Sequence, residues 1–293
     1  MSTTDLFSRG LSDAFLEALK DGPLRPLLDT AAQENLDLEI RDDYINIYDG
    51  HGALLKLSNR KAGYKVEIHH KYKPSEEIAP KQTGSYRVNT IKANEVEAWV
   101  KGFIETLPEL QRNARDFDKD EGRDEYEICM ANRTGGIIVL DRQAQLKGTL
   151  KSKVNLLAIA MSEGKPQAVV IVELKKEGVT LLELMKGVSQ SIGYSEMYAP
   201  EGKLRPDVAT SLQKIATQKH ALGILDDTLV GADFSDLPVR CVVAVRSKAP
   251  SEFAELRMLS EGTEVWYAGI DTTTSLMPVP ERWHLITEQP TAS

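Results

Sequence analysis

The sequence predicts an α/β protein in two parts, and three observations lead to that prediction. The chain has 293 residues, which is enough for one large or two modest domains. Hydrophobic residues make up 41% of it and charged residues 27%, as in ordinary globular proteins. Short alternating segments fill the first part, whereas longer apolar strands and amphipathic helices fill the second. We therefore expect a small α+β domain over residues 1–90 and an α/β domain over residues 91–293.

The elements of the first part follow from its hydrophobic spacing. Apolar residues recur at helical spacing from Leu11 onward, which predicts a helix to about Gln33, interrupted by Pro23 and Pro26. Alternating segments then predict four short strands at 36–40, 44–48, 54–57 and 64–70. The turn at residues 49–52 joins two of them as a hairpin. Residues 74–90 carry proline, threonine and glycine, and we interpret them as a linker.

The second part opens with a helix from Asn94, paired with Glu97 as an N-terminal cap. Pro108 is expected to kink or end that helix, and the charged residues 112–124 are expected to form a solvated loop. The remaining segments alternate between strand and helix patterns. Strands are predicted at 125–131, 137–146, 153–160, 168–175 and 239–245, and helices at about 179–198 and 207–222.

Composition and charge exclude several classes of protein. No apolar run reaches 18 residues and the first residues lack a signal-peptide pattern, so we expect a cytoplasmic protein without membrane association. Cys129 and Cys241 lie in apolar runs without metal-ligand spacing, which fits a reducing compartment. The net charge of −8 argues against a surface that binds nucleic acid throughout. Residues 56–73 and 142–153 are locally basic, and each segment either contacts phosphate or forms a solvated edge.

One strand carries a pattern with chemical meaning. The apolar residues 168–172 lead into Glu173-x-Lys175, and because side chains alternate along a strand these two project together, about 7 Å apart. Asn155, on the preceding strand, lies nine residues before residue 164, and Glu173 lies nine after it. A hairpin centred there brings Asn155 beside Glu173. A carboxylate in this place can hold a hard cation, and the ammonium can orient or deprotonate a water that attacks a phosphodiester.

This strand, its partner and the order of helices and strands resemble the active-site core of the PD-(D/E)XK nuclease superfamily. The resemblance implies a restriction-endonuclease-like mixed sheet flanked by helices. In the helix at about 179–198, Gln190 and Tyr194 are expected on one polar side near Lys186, and the buried face is expected to consist of Leu181, Leu182, Met185, Val188 and Ile192. Gln190-Ser-Ile-Gly-Tyr194 is similar to the Q-x-x-x-Y motif with which RecB-like members contact DNA. The resemblance also implies a metal-dependent deoxyribonuclease, in which Glu173 and residue 155 hold Mg²⁺ or Mn²⁺ and Lys175 is the water-orienting base.

Further residues and partners are expected on the same basis. Glu97 and Asp141 are additional candidate metal ligands, although the sequence favours a helix-capping role for Glu97 and a surface position on the strand for Asp141. The resemblance implies DNA as substrate, a homodimer or higher homo-oligomer, and a setting in bacterial antiviral defence or DNA repair. We expect the N-terminal module to be a sensor or to bind a protein partner or nucleic acid.

Asn155 departs from the family pattern, which has an aspartate at this position. An asparagine keeps the shape of the side chain and removes one negative charge, which weakens a site for a hard cation. Three explanations stay open: a natural inactive relative, a nuclease that takes its metal charge from other carboxylates, or a substitution introduced to silence the enzyme. We expect impaired activity. The alternative function is a catalytically inactive module of the nuclease fold that binds DNA or protein.

Overall fold

The computed structural model describes residues 6–50, 52–120, 136–147, 153–176, 178–245, 264–270 and 283–286. The chain divides into two compact units. The first unit comprises Arg9–Tyr126 and Lys214–Asp227, and the second comprises Met1–Ser8, Glu127–Gln213 and Thr228–Ser293. Within the described ranges, no helix has both the length and the apolar character that crossing a membrane requires.

The first unit is built on a six-stranded antiparallel sheet in the order β1-β2-β3-β4-β6-β5. Its elements are α1 (Asp13–Lys20), α2 (Arg25–Gln33), β1 (Asp37–Ile40), β2 (Tyr44–Asp49), β3 (Gly52–Arg60), β4 (Gly63–His69), β5 (Lys81–Thr83), β6 (Tyr86–Lys92) and α3 (Val96–Asp120). The two predicted helical segments and the four predicted strands are present. The chain between Lys20 and Arg25 separates the helices at Pro23, where the sequence predicts an interruption.

Residues 74–90 were interpreted as a linker, and this interpretation is wrong. Strands β5 and β6 lie within this stretch and its continuation, and β6 pairs with β4 over its whole length. Side chains of β6 form hydrogen bonds to backbone carbonyl groups of the residues that precede the β5–β6 hairpin. Arg87 donates to the Ala79 carbonyl at 2.7 Å, and Asn89 donates to the Ile78 carbonyl at 3.1 Å. Buried carbonyl groups need such partners, so this segment is an integral part of the first unit.

Helix α3 runs through Pro108 and ends at Asp120, so the expected break at the proline and the expected loop from residue 112 are wrong up to that point. Its apolar face continues beyond the proline with Leu110 and Ala114, both buried. Tertiary packing of this face outweighs the cost of an interior proline, about 3 kcal/mol. Because α3 packs within the first unit, the structure places the division after this helix rather than at residue 90.

The start of α3 also differs from the expected cap. A short 3₁₀ turn, Ala93–Glu95, precedes the helix, and the Glu95 carboxylate accepts a hydrogen bond from the Lys92 backbone amide at 3.3 Å. Asn94 and Glu97 are exposed and do not form the predicted pair. The cap therefore lies two residues earlier than the sequence pattern indicates, a difference within the usual uncertainty of helix ends.

The second unit contains a mixed six-stranded sheet in the order β12-β11-β10-β9-β8-β7. Strands β7, β8 and β9 are antiparallel neighbours, β10 and β11 continue the sheet parallel to β9, and β12 is antiparallel to β11. The elements are β7 (Ile137–Ala144), β8 (Val154–Ser162), β9 (Lys165–Lys175), α4 (Leu181–Tyr198), α5 (Pro206–Ala221), β10 (Val239–Val245), β11 (Val265–Gly269) and β12 (His284–Leu285). The predicted α/β class is confirmed. The strand predicted at residues 125–131, with Cys129, lies outside the described residues.

Helix α4 covers one face of this sheet. Leu184 and Val188 of the helix pack against Val243, Val245 and Tyr267, and this cluster forms an apolar core beside β10 and β11. Burial of these side chains is the main favourable term that holds α4 in place. The helix follows β9 in the chain and packs against both β9 and β10, so it lies over the strand that carries Glu173 and Lys175.

An ion pair is buried in the first unit. Lys219, in the part of α5 that belongs to this unit, places its Nζ 3.0 Å from Oε2 of Glu39 on β1. The two side chains are only 2% and 1% exposed. Burial raises the pKa of the Glu39 carboxyl above its ordinary value, although the Lys219 ammonium acts in the opposite direction. Each charge is therefore tolerated because the other is present.

We expect Lys219→Met to lower the free energy of unfolding by about 3–5 kcal/mol, because it leaves the Glu39 carboxyl buried without its cation. Urea unfolding followed by circular dichroism measures this change. The exposed Lys61 serves as control, and Lys61→Met should change stability by less than about 0.5 kcal/mol. The double variant Lys219→Met with Glu39→Leu should regain most of the loss. A loss no larger for Lys219→Met than for Lys61→Met would contradict the assignment.

Candidate active site

The hairpin between β8 and β9 turns through two residues, Glu163 and Gly164, with Ser162 paired to Lys165. Both turn residues have positive φ, 50° and 74°. Two-residue turns of this kind match the right-handed twist of the flanking strands, and glycine takes the left-handed conformation at little cost. The turn thus fixes the register of β8 and β9 for the residue pairs next to it, Ser162 with Lys165 and Met161 with Pro166.

A β-bulge changes that register by one residue. Met161 pairs with Pro166 next to the turn, but Ala160 pairs with Ala168, so Gln167 is an extra residue on β9. Proline has no N–H group to donate, and within sheets it is found at positions such as bulges. Beyond this point the strands keep one register for the rest of the hairpin.

The shifted register decides which residue faces Glu173. The last pair is Leu156 with Val172, and its continuation places Asn155 opposite Glu173. Without the bulge the partner of Glu173 would be Val154, and Asn155 would lie on the other face of the sheet. The prediction that the hairpin brings Asn155 beside Glu173 is therefore confirmed.

Asn155 is held at the end of the ladder by its own side chain. Its Oδ1 accepts a hydrogen bond from the backbone amide of Leu174 at 2.7 Å. The side chain is partly buried. This bond fixes the amide group of residue 155 against β9, beside the strand end that carries Glu173 and Lys175.

Glu173 and Lys175 lie on one face, as predicted from the strand alternation. Glu173 is buried, with 4% of its surface exposed. The Lys175 Nζ donates to Oε1 of Glu173 at 2.8 Å and to Oε1 of Gln190 at 3.1 Å. An ammonium has three N–H donors, and the described contacts use two of them. The Lys175 side chain is 18% exposed, so solvent reaches the group that carries the third.

Helix α4 begins with a reciprocal cap that sets the position of Gln190. The Thr180 backbone amide donates to Oε2 of Glu183 at 2.8 Å, and the Glu183 amide donates to the Thr180 hydroxyl at 3.3 Å. Hydrogen bonds from the backbone and the hydroxyl of Thr180 hold the pKa of the Glu183 carboxyl below its ordinary value. Gln190 follows two turns later on the exposed edge of the helix, where it reaches Lys175.

Two small residues on α4 contribute to the site and were missed in the sequence. Gly187 and Ser191 are both buried and lie one turn apart. A Cβ atom on Gly187 would lie 3.0 Å from Cε of Lys175 and 3.3 Å from Cγ1 of Val243. Gly187 therefore leaves the room in which the lysine side chain lies. Small residues four apart on a helix signal close approach to a neighbouring element, and this signal is visible in the sequence.

The structure changes the interpretation of Tyr194. The sequence placed it with Gln190 on an exposed polar side, but it is 2% exposed and its hydroxyl donates to the Lys153 carbonyl at 2.9 Å. Burial, with a further contribution from the Glu173 charge, raises the pKa of Tyr194 to about 12, so the phenol stays protonated and keeps donating. Leu182, which was expected to be buried, is 60% exposed.

Tyr194 thus connects α4 to the start of β8 and does not present its ring to a ligand. The helix face that packs on the sheet therefore differs from the predicted one and includes Gly187, Ser191 and Tyr194. The small side chains of Gly187 and Ser191 allow this face to approach β9 closely. Lys186 and Gln190 remain exposed, as the sequence indicates.

The other candidate ligands lie elsewhere. Asp141 is fully buried on β7, opposite Leu157, so its expected surface position is wrong; β8 separates it from the strand of Glu173. Glu97 is exposed on α3 in the first unit. Cys241 is buried on β10, and burial raises the pKa of its thiol to about 11.

The oxygen donors at the strand end are the Glu173 carboxylate and the Asn155 amide. Oxygen ligands suit hard cations such as Mg²⁺, but this pair supplies a single negative charge. In the part of the chain that the structure describes, no three His, Cys, Asp or Glu side chains are grouped so that they could hold a metal ion. These donors are therefore of the kind that Mg²⁺ prefers, but only one of the two, the Glu173 carboxylate, carries a negative charge.

Comparison of the chain with family models, with curated proteins and with solved structures finds no significant match. The chemistry of the site consequently rests on its own residues and their geometry.

We expect Gly187→Ala to destabilise the second unit by up to about 2 kcal/mol, because overpacking of the new methyl group against Lys175 and Val243, about 1–3 kcal/mol, exceeds the gain in helix propensity of about 1 kcal/mol. Gly193, on the same helix, is the matched control, since a Cβ atom there has nothing within 4 Å. Gly193→Ala should instead raise stability by up to about 1 kcal/mol through helix propensity. Thermal and urea unfolding measure both variants. Equal effects of the two substitutions would contradict the contact.

Tyr194→Phe should lower the free energy of unfolding by about 1 kcal/mol, because it removes the hydrogen bond of the phenol to the Lys153 carbonyl together with its contact to Gln190. Tyr86 is exposed, and Tyr86→Phe serves as the control with an expected change near zero. Ultraviolet difference titration should further show that Tyr194→Phe removes a phenol whose ionisation lies above the ordinary range of tyrosine. An unchanged high-pH titration in that variant would contradict the assignment.

Proposed function

We propose that the second unit is a nuclease domain of the PD-(D/E)XK type that hydrolyses phosphodiester bonds of DNA with Mg²⁺ or Mn²⁺, and that Asn155 impairs this activity in the present chain. The observation that carries the proposal is the convergence of Asn155, Glu173, Lys175 and Gln190 at one end of the β8–β9 hairpin. A carboxylate, an amide and an ammonium placed together at a strand end suit hydrolysis that is assisted by a metal ion.

The architecture supports the same proposal. An antiparallel run of three strands, β7–β8–β9, is followed by α4 and then by β10 parallel to β9. Strands, helix and strand come in the order that a restriction-endonuclease-like core requires. One element departs from the expected set: α3, which the resemblance assigned as the first helix of this core, belongs to the first unit.

The proposed roles follow from the contacts. Glu173 and residue 155 would hold the metal ion, which when bound stabilises negative charge that develops on the phosphate. Lys175 orients a water molecule through the N–H that its described contacts leave available. Gln190 holds the lysine amine in place, and Tyr194 fixes the helix that carries Gln190. Lys186 and Gln190 are exposed and can contact a phosphate backbone.

The substitution at position 155 determines how much of this chemistry the chain performs. With a single carboxylate the site binds Mg²⁺ weakly, since hard cations depend on ligand charge. Restoring the second carboxylate raises metal affinity without changing the shape of the site, because an aspartate accepts the same hydrogen bond from Leu174. DNA as substrate, a role in bacterial defence or DNA repair, a cytoplasmic location, homo-oligomerisation and a partner of the first unit are parts of the same proposal.

A second candidate function is a catalytically inactive module of this fold that binds DNA or protein. The ion pair favours it: the Lys175 ammonium already lies 2.8 Å from Oε1 of Glu173, so the buried carboxylate is balanced without a metal ion. Such a module binds its partner equally with and without divalent cations. It cleaves no DNA, whichever residue occupies position 155.

We expect Asn155→Asp to cleave linear and plasmid DNA in the presence of Mg²⁺ or Mn²⁺, and the unchanged chain to cleave at least about 100-fold more slowly, because lost charge weakens the metal site. Gel assays of DNA cleavage, with chelator added in parallel, measure this difference. The expected gain of metal affinity in the variant is measured separately by titration with Mn²⁺.

Two controls accompany this experiment. Asn94→Asp adds the same charge at an exposed position of the first unit and should leave cleavage unchanged. Adding Lys175→Met to Asn155→Asp should abolish cleavage while retaining metal binding. DNA binding that is independent of metal, without cleavage by any variant, would favour the inactive module; absence of DNA binding and cleavage in all variants would overturn the nuclease proposal.

A further inference from the structure

A cavity of about 760 Å³ lies in the first unit between α3 and the chain that joins α1 to α2. It is distinct from the residues of the proposed nuclease site. We propose that this cavity binds a small organic cation, a primary amine or guanidine that carries an alkyl or aryl body.

The floor of the cavity is apolar and preformed. Val100 is buried on α3 and Ile104 lies one turn further along, while Pro23 and Pro26 line the opposite wall. Proline rings fix the backbone dihedral of their residues, so this wall has little freedom to collapse into the space. Because Val100 is already out of water, the apolar surface that a ligand would cover belongs to Ile104, Pro23 and Pro26, and its removal from water is the favourable term for binding here.

The rim of the cavity is acidic. Glu97 and Glu105 lie eight residues apart on α3 with Lys101 between them, and Asp21 lies on the facing chain. Three carboxylates therefore stand against one ammonium, a net charge of −2 (1 − 3) at the opening. Asp21 is 3.4 Å from the neighbouring Lys20, but no ion pair with a described residue engages Glu97 or Glu105. These two carboxylates are thus available to a cation.

Size and charge together select the class of ligand. Sites for small molecules commonly enclose about 300–1,000 Å³, are mostly apolar and carry a few convergent polar groups, and this cavity has each property. The acidic rim repels phosphates and carboxylates, which disfavours nucleotides and organic acids. An amphiphilic cation fits both the acidic rim and the apolar lining, with its charged group at Glu97 and Glu105 and its body on Ile104 and the two prolines.

Three probes with one common body test the proposal on the full chain: 4-phenylbutylamine, 4-phenylbutan-1-ol and 4-phenylbutanoate. Methyl NMR spectra report binding at Val100 and Ile104. We expect the amine to shift these signals at the lowest concentration, the alcohol at a higher one and the carboxylate at the highest. Added salt should weaken binding of the amine and leave binding of the alcohol unchanged, because only the amine interacts with the carboxylates through its charge.

Charge-neutral variants locate the interaction. Glu97→Gln and Glu105→Gln should each weaken the amine by about 1.5- to 5-fold, the range for solvent-exposed ion pairs. Glu109 is exposed on the same helix but does not line the cavity, so Glu109→Gln should leave the affinity unchanged. Equal affinities for the three probes would overturn the proposal, as would unshifted methyl signals with millimolar amine, or unchanged binding in both cavity variants.

Discussion

The register of the β8–β9 hairpin is the constraint on which the candidate site depends. Side chains alternate along a strand, so a slip of one residue would carry Asn155 to the opposite face and bring Val154 against Glu173. The two-residue turn alone would give that slipped arrangement. The bulge at Gln167 corrects it, and the proline beside the bulge makes it inexpensive, because Pro166 has no ladder hydrogen bond to lose. A local irregularity of the backbone thus determines the composition of the site.

Each of the two units contains an ion pair with a buried carboxylate. Glu173 with Lys175 and Glu39 with Lys219 each place a carboxylate out of water within 3.0 Å of an ammonium. Such pairs add little net stability over an apolar replacement, but each partner is costly to remove alone. In the first unit the pair joins α5 to β1. In the second it holds Lys175 at the strand end, where Gln190 supplies the second acceptor and solvent remains accessible.

Asn155 separates the geometry of the site from its electrostatics. An asparagine oxygen accepts the hydrogen bond from Leu174 as a carboxylate would, so the hairpin end is built without the charge. An aspartate at this position would add one negative charge, which under the proposed function strengthens the attraction of the site for a hard cation. The oxygen that faces Leu174 therefore serves the fold whichever of the two residues is present.

The sequence by itself determined strands β1–β4 of the first sheet and β7–β10 of the second, helices α1, α2, α4 and α5, the alternation that joins Glu173 to Lys175, and the cross-strand position of Asn155. These features depend on local periodicity and on turn residues, both of which can be recognised from residues that are adjacent in the sequence. The sequence placed the turn centre half a residue too late and omitted the bulge. These two errors cancelled, so the correct partner was predicted for an incomplete reason.

Only the tertiary structure decided the rest. The continuation of α3 through Pro108, the burial of Tyr194 and the exposure of Leu182 depend on which neighbours pack against each helix, and packing can outweigh both propensity and hydropathy. The strands of residues 81–92 depend on pairing with β4, a contact between segments distant in sequence. The position of the Lys175 side chain likewise depends on the missing side chain at Gly187, because a Cβ atom there would lie 3.0 Å from its Cε. This contact exists only because α4 packs closely on β9, which the sequence does not show.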